Sequence, residues 1–188
     1  MRQGLQTKDR IEKAALRLFV EQGVAETSIR DIAAAAGVSQ GAMYNHYVSK
    51  DELAFALFAE SWAEMGRELR RCSHMGDTLE AKFTSMVGYV FGLFDEDWIR
   101  VRYVFFARHE NLLKMAANVP NPYLVFRTVI VDAMKRGEIP HKDPDLANSM
   151  VMGAIVQVID TKILGRIKTN LSALTDTVAK ACAAMLRS

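Results

Sequence analysis

Residues 27–53 read TSIRDIAAAAGVSQGAMYNHYVSKDEL. Ser28 followed three residues later by Asp31 resembles a capping box, which starts a helix by satisfying its first free N–H groups. Ile29, Ile32, Ala33 and Ala36 then fall on one face at helical spacing. The run from Ala33 to Ala36 carries no bulky side chain, so a second helix can pack closely against it. Gly37 stands where that helix must stop and the chain turn through a left-handed conformation. Val38 plugs the turn, Ser39 caps the next helix, and Gln40, Gly41 and Ala42 form its first turn. Met43 and Tyr47 are expected inward; Tyr44, Asn45 and His46 are expected largely outward. Ser49-Lys50-Asp51-Glu52 spells a second capping box and starts another helix.

Two short helices joined by a glycine turn form a helix-turn-helix, a device that sets one helix into the major groove of DNA. The second helix has suitable chemistry. Its N-terminus offers free N–H groups and a positive dipole end to phosphate. Gly41 and Ala42 permit close approach to the backbone. Gln40, Tyr44, Asn45 and His46 can bond base edges or phosphates, and Lys50 follows within reach of a phosphate. The residues assigned to this interface are Thr27, Ser28, Ser39, Gln40, Gly41, Ala42, Tyr44, Asn45, His46, Tyr47 and Lys50. A three-helix subdomain that binds nothing has no need of so small and polar a first turn.

From Thr7 to Leu53 the chain resembles the N-terminal domain of the TetR family of transcriptional repressors. The resemblance rests on a first helix ending at Phe19 and Gly23, on Thr27 to Ala33, on Ala36-Gly37-Val38-Ser39, on Gly41 to Tyr47, and on Ser49 to Leu53. The family usually has phenylalanine where Tyr47 stands, and Asn45 occupies a position that varies between members. The resemblance covers about a quarter of the chain. It implies a ligand-responsive, dimeric DNA-binding protein and says little about the ligand.

Composition agrees. A chain of 188 residues, half of them hydrophobic, can bury a sizeable core. The net charge of +2, all of it within residues 1–50, excludes a coating protein for nucleic acid. So weakly basic a reader needs a second copy, which matches a near-palindromic operator with half-sites about 34 Å apart or a multiple of that. No apolar run is long enough to span a membrane and no signal peptide opens the chain, so no membrane partner and a cytoplasmic location are expected.

Cys72 and Cys182 lie far apart and are expected as free thiols. His109-Glu110 begins like a zinc-protease motif, but the second histidine is missing. Cys72 and His74 are weak metal ligands by spacing. With no Gly-rich phosphate loop and no nucleophile elbow, no enzyme, no cofactor and no metal are expected.

The remaining sequence reads as helix after helix. The expected fold is all-α, with about nine helices: a DNA-binding domain over residues 1–49 and a helical effector-binding and dimerisation domain over 50–188. The first helix should run from Thr7 to Gln22 and the long fourth from Lys50 to Arg71, able to carry motion between head and body. Asp77 with Glu80 suggests a cap for the fifth. Asn121-Pro122 and Asp143-Pro144 open the seventh and eighth, and a ninth begins near Asn170. From Leu146 to Ile159 nearly every position is apolar or small, so that helix needs cover on more than one side. One side can face its own core and the other a symmetry mate, with Met150, Gly153, Ala154, Val158, Leu174, Val178 and Met185 as interface residues. In the TetR family such C-terminal helix pairs from two chains form a four-helix interface, which this pattern resembles.

The effector site is expected among aromatic and isolated polar residues of the middle of the chain: Phe91, Phe94, Arg102, Phe105, Arg108, His109, Tyr123, Phe126, Gln157 and Asp160. Arg108 or His109 could meet an anionic head group, or could pair with Asp160 or Glu110. The reading is therefore a repressor released from its operator by a small apolar or amphipathic ligand. The alternatives are an activator, or a helical module that binds a protein or lipid.

Overall fold

The computed structural model describes residues 2–116 and 118–187, apart from the side chains of Arg2, Gln3, Phe106, Arg108, His109, Glu110 and Leu113. Among the described residues the fold is all helix: α1 (Arg2–Gln22), α2 (Ile29–Ala36), α3 (Gln40–Tyr44), α4 (Lys50–Cys72), α5 (Leu79–Glu96), α6 (Trp98–Asn111), α7 (Pro122–Lys135), α8 (Pro144–Ile163) and α9 (Thr175–Arg187). Short 3-10 turns follow α6 and precede α9. The chain divides into two compact units: residues 1–61 with 99–117, and residues 62–98 with 118–188. The first boundary falls inside α4, between Ser61 and Trp62.

In the first unit, Ile11, Ala15 and Phe19 form the buried row of α1, at helical spacing. They share the core with Ile32, Ala33 and Ala36 of α2, Met43 of α3 and Leu53, Leu57 and Phe58 of α4. Helix α6 belongs to this unit. The Tyr103 ring stacks on Phe19 with centroids 6.0 Å apart, and its hydroxyl donates to the Ala54 carbonyl at 2.8 Å. The aromatic residues of α6 thus pack with α1 and the first half of α4, within the first unit.

The second unit is built on α5, whose Leu79, Phe83, Met86, Val87 and Phe91 are completely buried. Phe83 and Phe126 of α7 sit with ring centroids 6.0 Å apart. Helix α8 buries Ala147, Val151, Ile155 and Ile159, one residue per turn. Helix α9 buries Ala179, Cys182, Ala183 and Leu186. At Gly66 of α4 a side chain has no room: a Cβ there would stand 2.5 Å from the Pro120 carbonyl oxygen and 3.0 Å from the Asn121 nitrogen.

The helix boundaries follow from local chemistry. Helix α1 begins five residues before the expected Thr7, because no residue ahead of Thr7 breaks it. Helix α5 is capped by Thr78, whose hydroxyl accepts from the Ala81 N–H, and not by Asp77. Asn121 and Asp143 cap α7 and α8 with proline in the first turn, as expected. Ahead of α9, the Asp95 carboxylate accepts from the N–H groups of Leu171 and Ser172 at 3.0 and 2.9 Å. The fifth helix thereby fastens the turn that leads into the ninth.

Candidate nucleic-acid interface

Helix α2 starts at Ser28, whose hydroxyl accepts from the Asp31 N–H while the Asp31 carboxylate accepts from the Ser28 N–H at 3.0 Å. Hydrogen bonds from Ser28 hold the Asp31 carboxyl below its ordinary range. The helix ends at Gly37, with φ of 62°. Two carbonyls exposed at that corner, those of Ala36 and Gly37, accept from the guanidinium of Arg10. That clamp joins α1 to the turn and occupies a cation that could otherwise reach phosphate.

Helix α3 is only five residues long, so its macrodipole is small and its individual groups matter more. Ser39 caps it, accepting from the Ala42 N–H at 3.1 Å. The N–H groups of its first turn have no partner within the helix. Gln40, Gly41, Asn45 and Tyr44 are exposed, Tyr44 to 55%, and Ala42 and His46 are partly exposed. At Gly41 a Cβ would meet only the Ser39 hydroxyl, at 3.8 Å, so nothing in this chain requires the glycine. A polar, open, glycine-bearing turn can accept a backbone or a base edge from outside.

Three assigned residues have partners within the first unit. Thr27 is 1% exposed; its hydroxyl donates to the Gly23 carbonyl at 2.7 Å and accepts from the Gln22 amide. It locks the loop ahead of α2 and presents nothing outward. Tyr47 is buried, and its hydroxyl donates to the Glu12 carboxylate of α1. Burial, then that bond to Glu12, push the phenol well above its ordinary range. Lys50 donates to the Ala25 carbonyl at 3.1 Å, which ties the start of α4 to the loop before α2. The second capping box is displaced by one residue: Ser49 caps the Glu52 N–H, but the Glu52 carboxylate reaches the N–H of Val48.

Sequence reasoning overlooked Arg30. It is exposed on α2, one residue past the helix start, while Lys13 and Arg17 pair with Asp9 and Glu21 along α1. The signal was present as a lone cation inside the helix-turn-helix.

The assigned effector residues are divided between the two units. Arg102 and Phe105 lie in the first unit; Phe91, Phe94, Tyr123, Phe126, Gln157 and Asp160 lie in the second. Arg108 and His109 fall outside the described side chains. Phe91, Phe94 and Phe126 are core residues. Gln157 is exposed on the outward row of α8 with Met150 and Gly153, away from that core. Tyr123 is engaged at three groups: its N–H by Asn121, its carbonyl by Asn148, its hydroxyl by Asp145. Asn148, which sequence reasoning passed over within an apolar run, is the buried polar side chain of α8.

On the outward side of α8, Leu146 is 62% and Met150 40% exposed, and a Cβ on Gly153 would meet nothing within 4 Å. Ala154 and Val158 are half-buried, as are Leu174, Val178 and Met185 beside α9. Both cysteines are buried; burial pushes the Cys182 thiol up to about 11 and raises that of Cys72. Among the described residues no three His, Cys, Asp or Glu side chains group as a metal site, and no helix is long and apolar enough to cross a membrane.

Comparison with known proteins meets the same segment. The profile of bacterial regulatory proteins of the tetR family matches residues 11–57. The HTH-type transcriptional regulator AcrR of Shigella flexneri is 47% identical over 57 residues, which is 30% of this chain and 25% of that protein. The matched part thus spans a quarter of that relative's length. A fatty acid metabolism regulator protein of Bacillus subtilis (strain 168) is 25% identical over 170 residues, 88% of each chain. The crystal structure of the transcriptional regulator FadR from Bacillus subtilis in complex with stearoyl-CoA superposes with a TM-score of 0.71, at 21% identity, over 94% of this chain and 97% of that one.

Proposed function

We propose that this chain, whose residues 11–57 match the bacterial regulatory proteins of the tetR family, is a dimeric transcriptional repressor that a fatty acyl-CoA releases from its operator. The DNA-binding half is carried by one observation: α3 opens with an exposed polar turn whose glycine, given a Cβ, would meet only the Ser39 hydroxyl, at 3.8 Å. Gln40, Tyr44, Asn45 and His46 are the base-facing residues of this reading, Ser28, Ser39 and Arg30 the phosphate-facing ones. The reader is residues 1–49; residues 50–188 receive the effector and the second subunit.

Dimerisation is supported by the uncovered apolar row Leu146, Met150, Gly153 and its neighbours on α9. The acyl-CoA is supported by the relative that matches this chain along 88% of its length, a regulator of fatty acid metabolism. The aromatic core of the second unit, around Phe91, Phe94 and Phe126, suits an acyl chain. Binding by the effector needs to favour the released form by only a few kcal/mol, and α4 is the helix that passes from one unit to the other.

The test is binding of the full chain to its own promoter DNA at several salt concentrations, with and without stearoyl-CoA. Affinity should fall steeply with salt, and stearoyl-CoA should release the DNA. Tyr44→Ala and His46→Ala should weaken binding while helicity stays constant. Binding unchanged by both substitutions would overturn the placement of the recognition helix.

A further inference from the structure

Asn148 is 0% exposed, in the second turn of a helix whose other inward residues are Ala147, Val151, Ile155 and Ile159. Its Nδ2 donates to the Tyr123 carbonyl at 3.1 Å. That bond fixes the amide, since the flipped orientation would set oxygen against oxygen. Its Oδ1 is buried and receives no hydrogen bond from any described residue. A buried acceptor left unmade costs about what a hydrogen bond is worth, so an apolar residue of similar size would serve the core better. Asparagine is also a poor helix former in mid-helix. Packing and propensity therefore both argue against this side chain.

Its surroundings are built to hold it. Tyr123 cannot turn away, because Asn121 bonds its N–H at 2.9 Å and Asp145, itself clamped by Arg127 at 2.8 and 3.2 Å, accepts from its hydroxyl. The segment ahead of Tyr123 is pressed against Gly66. A fixed acceptor in an apolar interior recognises a donor arriving within the helical body.

We propose that Asn148 Oδ1 is the effector's interior acceptor, taking an amide N–H from the pantetheine arm of a fatty acyl-CoA. The inference rests on the acyl-CoA reading and adds the atom that recognises the ligand. An acyl chain has no donor and a thioester offers only acceptors. The first donor met beyond the thioester is the pantetheine amide. An ionised fatty acid has none, so this acceptor selects the thioester conjugate over the free acid.

The experiment pairs a protein change with a ligand change. Full-length wild type and Asn148→Leu are titrated with stearoyl-CoA, with stearate, and with two small stearoyl thioesters. One is the thioester of N-acetylcysteamine, which keeps the amide; the other is that of 2-mercaptoethyl acetate, which has an ester in its place. Wild type should prefer the amide thioester by about tenfold or more. Asn148→Leu should lose that preference, bind stearoyl-CoA about tenfold more weakly, keep its operator affinity and melt no lower than wild type. Asn148→Ala serves the same purpose if the leucine variant does not fold. Equal preference in wild type and variant overturns the assignment. Tighter binding of stearate than of stearoyl-CoA also overturns it. A wild type indifferent to every stearoyl compound overturns the acyl-CoA reading itself.

Discussion

Replacing Gly41 with alanine separates the needs of the fold from those of the interface. In the free protein the new methyl meets only the Ser39 hydroxyl, at 3.8 Å, which is ordinary contact. Alanine is a better helix former than glycine by about 0.5–1 kcal/mol. For a chain of this size that raises the melting temperature by roughly 1–4 °C. On DNA the sign reverses. A methyl on the first turn of α3 keeps the phosphate backbone from the N–H groups there. Losing one charge-assisted hydrogen bond per half-site costs about 1.5 kcal/mol each, so a dimer loses about 3 kcal/mol, roughly a hundredfold in affinity. The salt dependence should stay close to that of wild type, since no Lys or Arg contact is lost. Calorimetry gives the first quantity and fluorescence anisotropy on the promoter fragment the others. Affinity within about twofold of wild type would show that the turn does not approach the backbone. A lowered melting temperature would show that the fold itself requires the glycine.

Three further outcomes follow from the second unit and its outward face. Gly153→Glu, where a Cβ meets no atom of its own chain, should yield a folded monomer with weakened operator binding; sedimentation that still gives a dimer refutes the α8 interface. Burial would raise the Asp95 carboxyl, but hydrogen bonds from Ser172 and Leu171 outweigh it and hold it below 3.8. Its stabilisation is thus present above that value and lost as pH falls through the lower folded value, so an Asp95→Ala variant should be less stable at neutral pH and converge on wild type once the carboxyl is protonated in the folded state. A gap independent of pH counts against this account. The buried, proton-holding thiols of Cys72 and Cys182 should react with a thiol reagent only at the rate of unfolding; prompt labelling of the native protein would contradict their burial.

What the sequence disclosed, it disclosed through local chemistry. Ser28 with Asp31, Gly37 and Ser39, and the Asn-Pro and Asp-Pro pairs all act within a few residues of themselves, and each helix they announce is present. What stayed hidden depends on partners distant in sequence. Nothing near Tyr47 announces Glu12, and nothing near Lys50 announces the Ala25 carbonyl. Both therefore read as interface residues, Tyr47 even though its ring is expected inward. Thr27 was mistaken for the same reason: its partner Gly23 lies in a loop whose path the pattern does not specify. The packing of α6 with α1 was hidden too, because an aromatic stripe has the same periodicity whichever helices cover it. Asn148 escaped notice because a single polar residue hardly alters the pattern of an apolar run, although its burial makes it costly.

Gly66 bears on how the body can move. Its missing side chain lets the Pro120 carbonyl sit against the axis of α4, and backbone on both sides leaves nothing flexible to yield. Such a contact works as a bearing. It blocks α4 from screwing along its own axis, because a rotation of a third of a turn would bring a neighbouring Cβ onto that oxygen. It leaves tilting about Gly66 comparatively free. Within the second unit, a push on the C-terminal half of α4 is then answered by tilt and not by rotation, so the contact filters which displacement that helix can make.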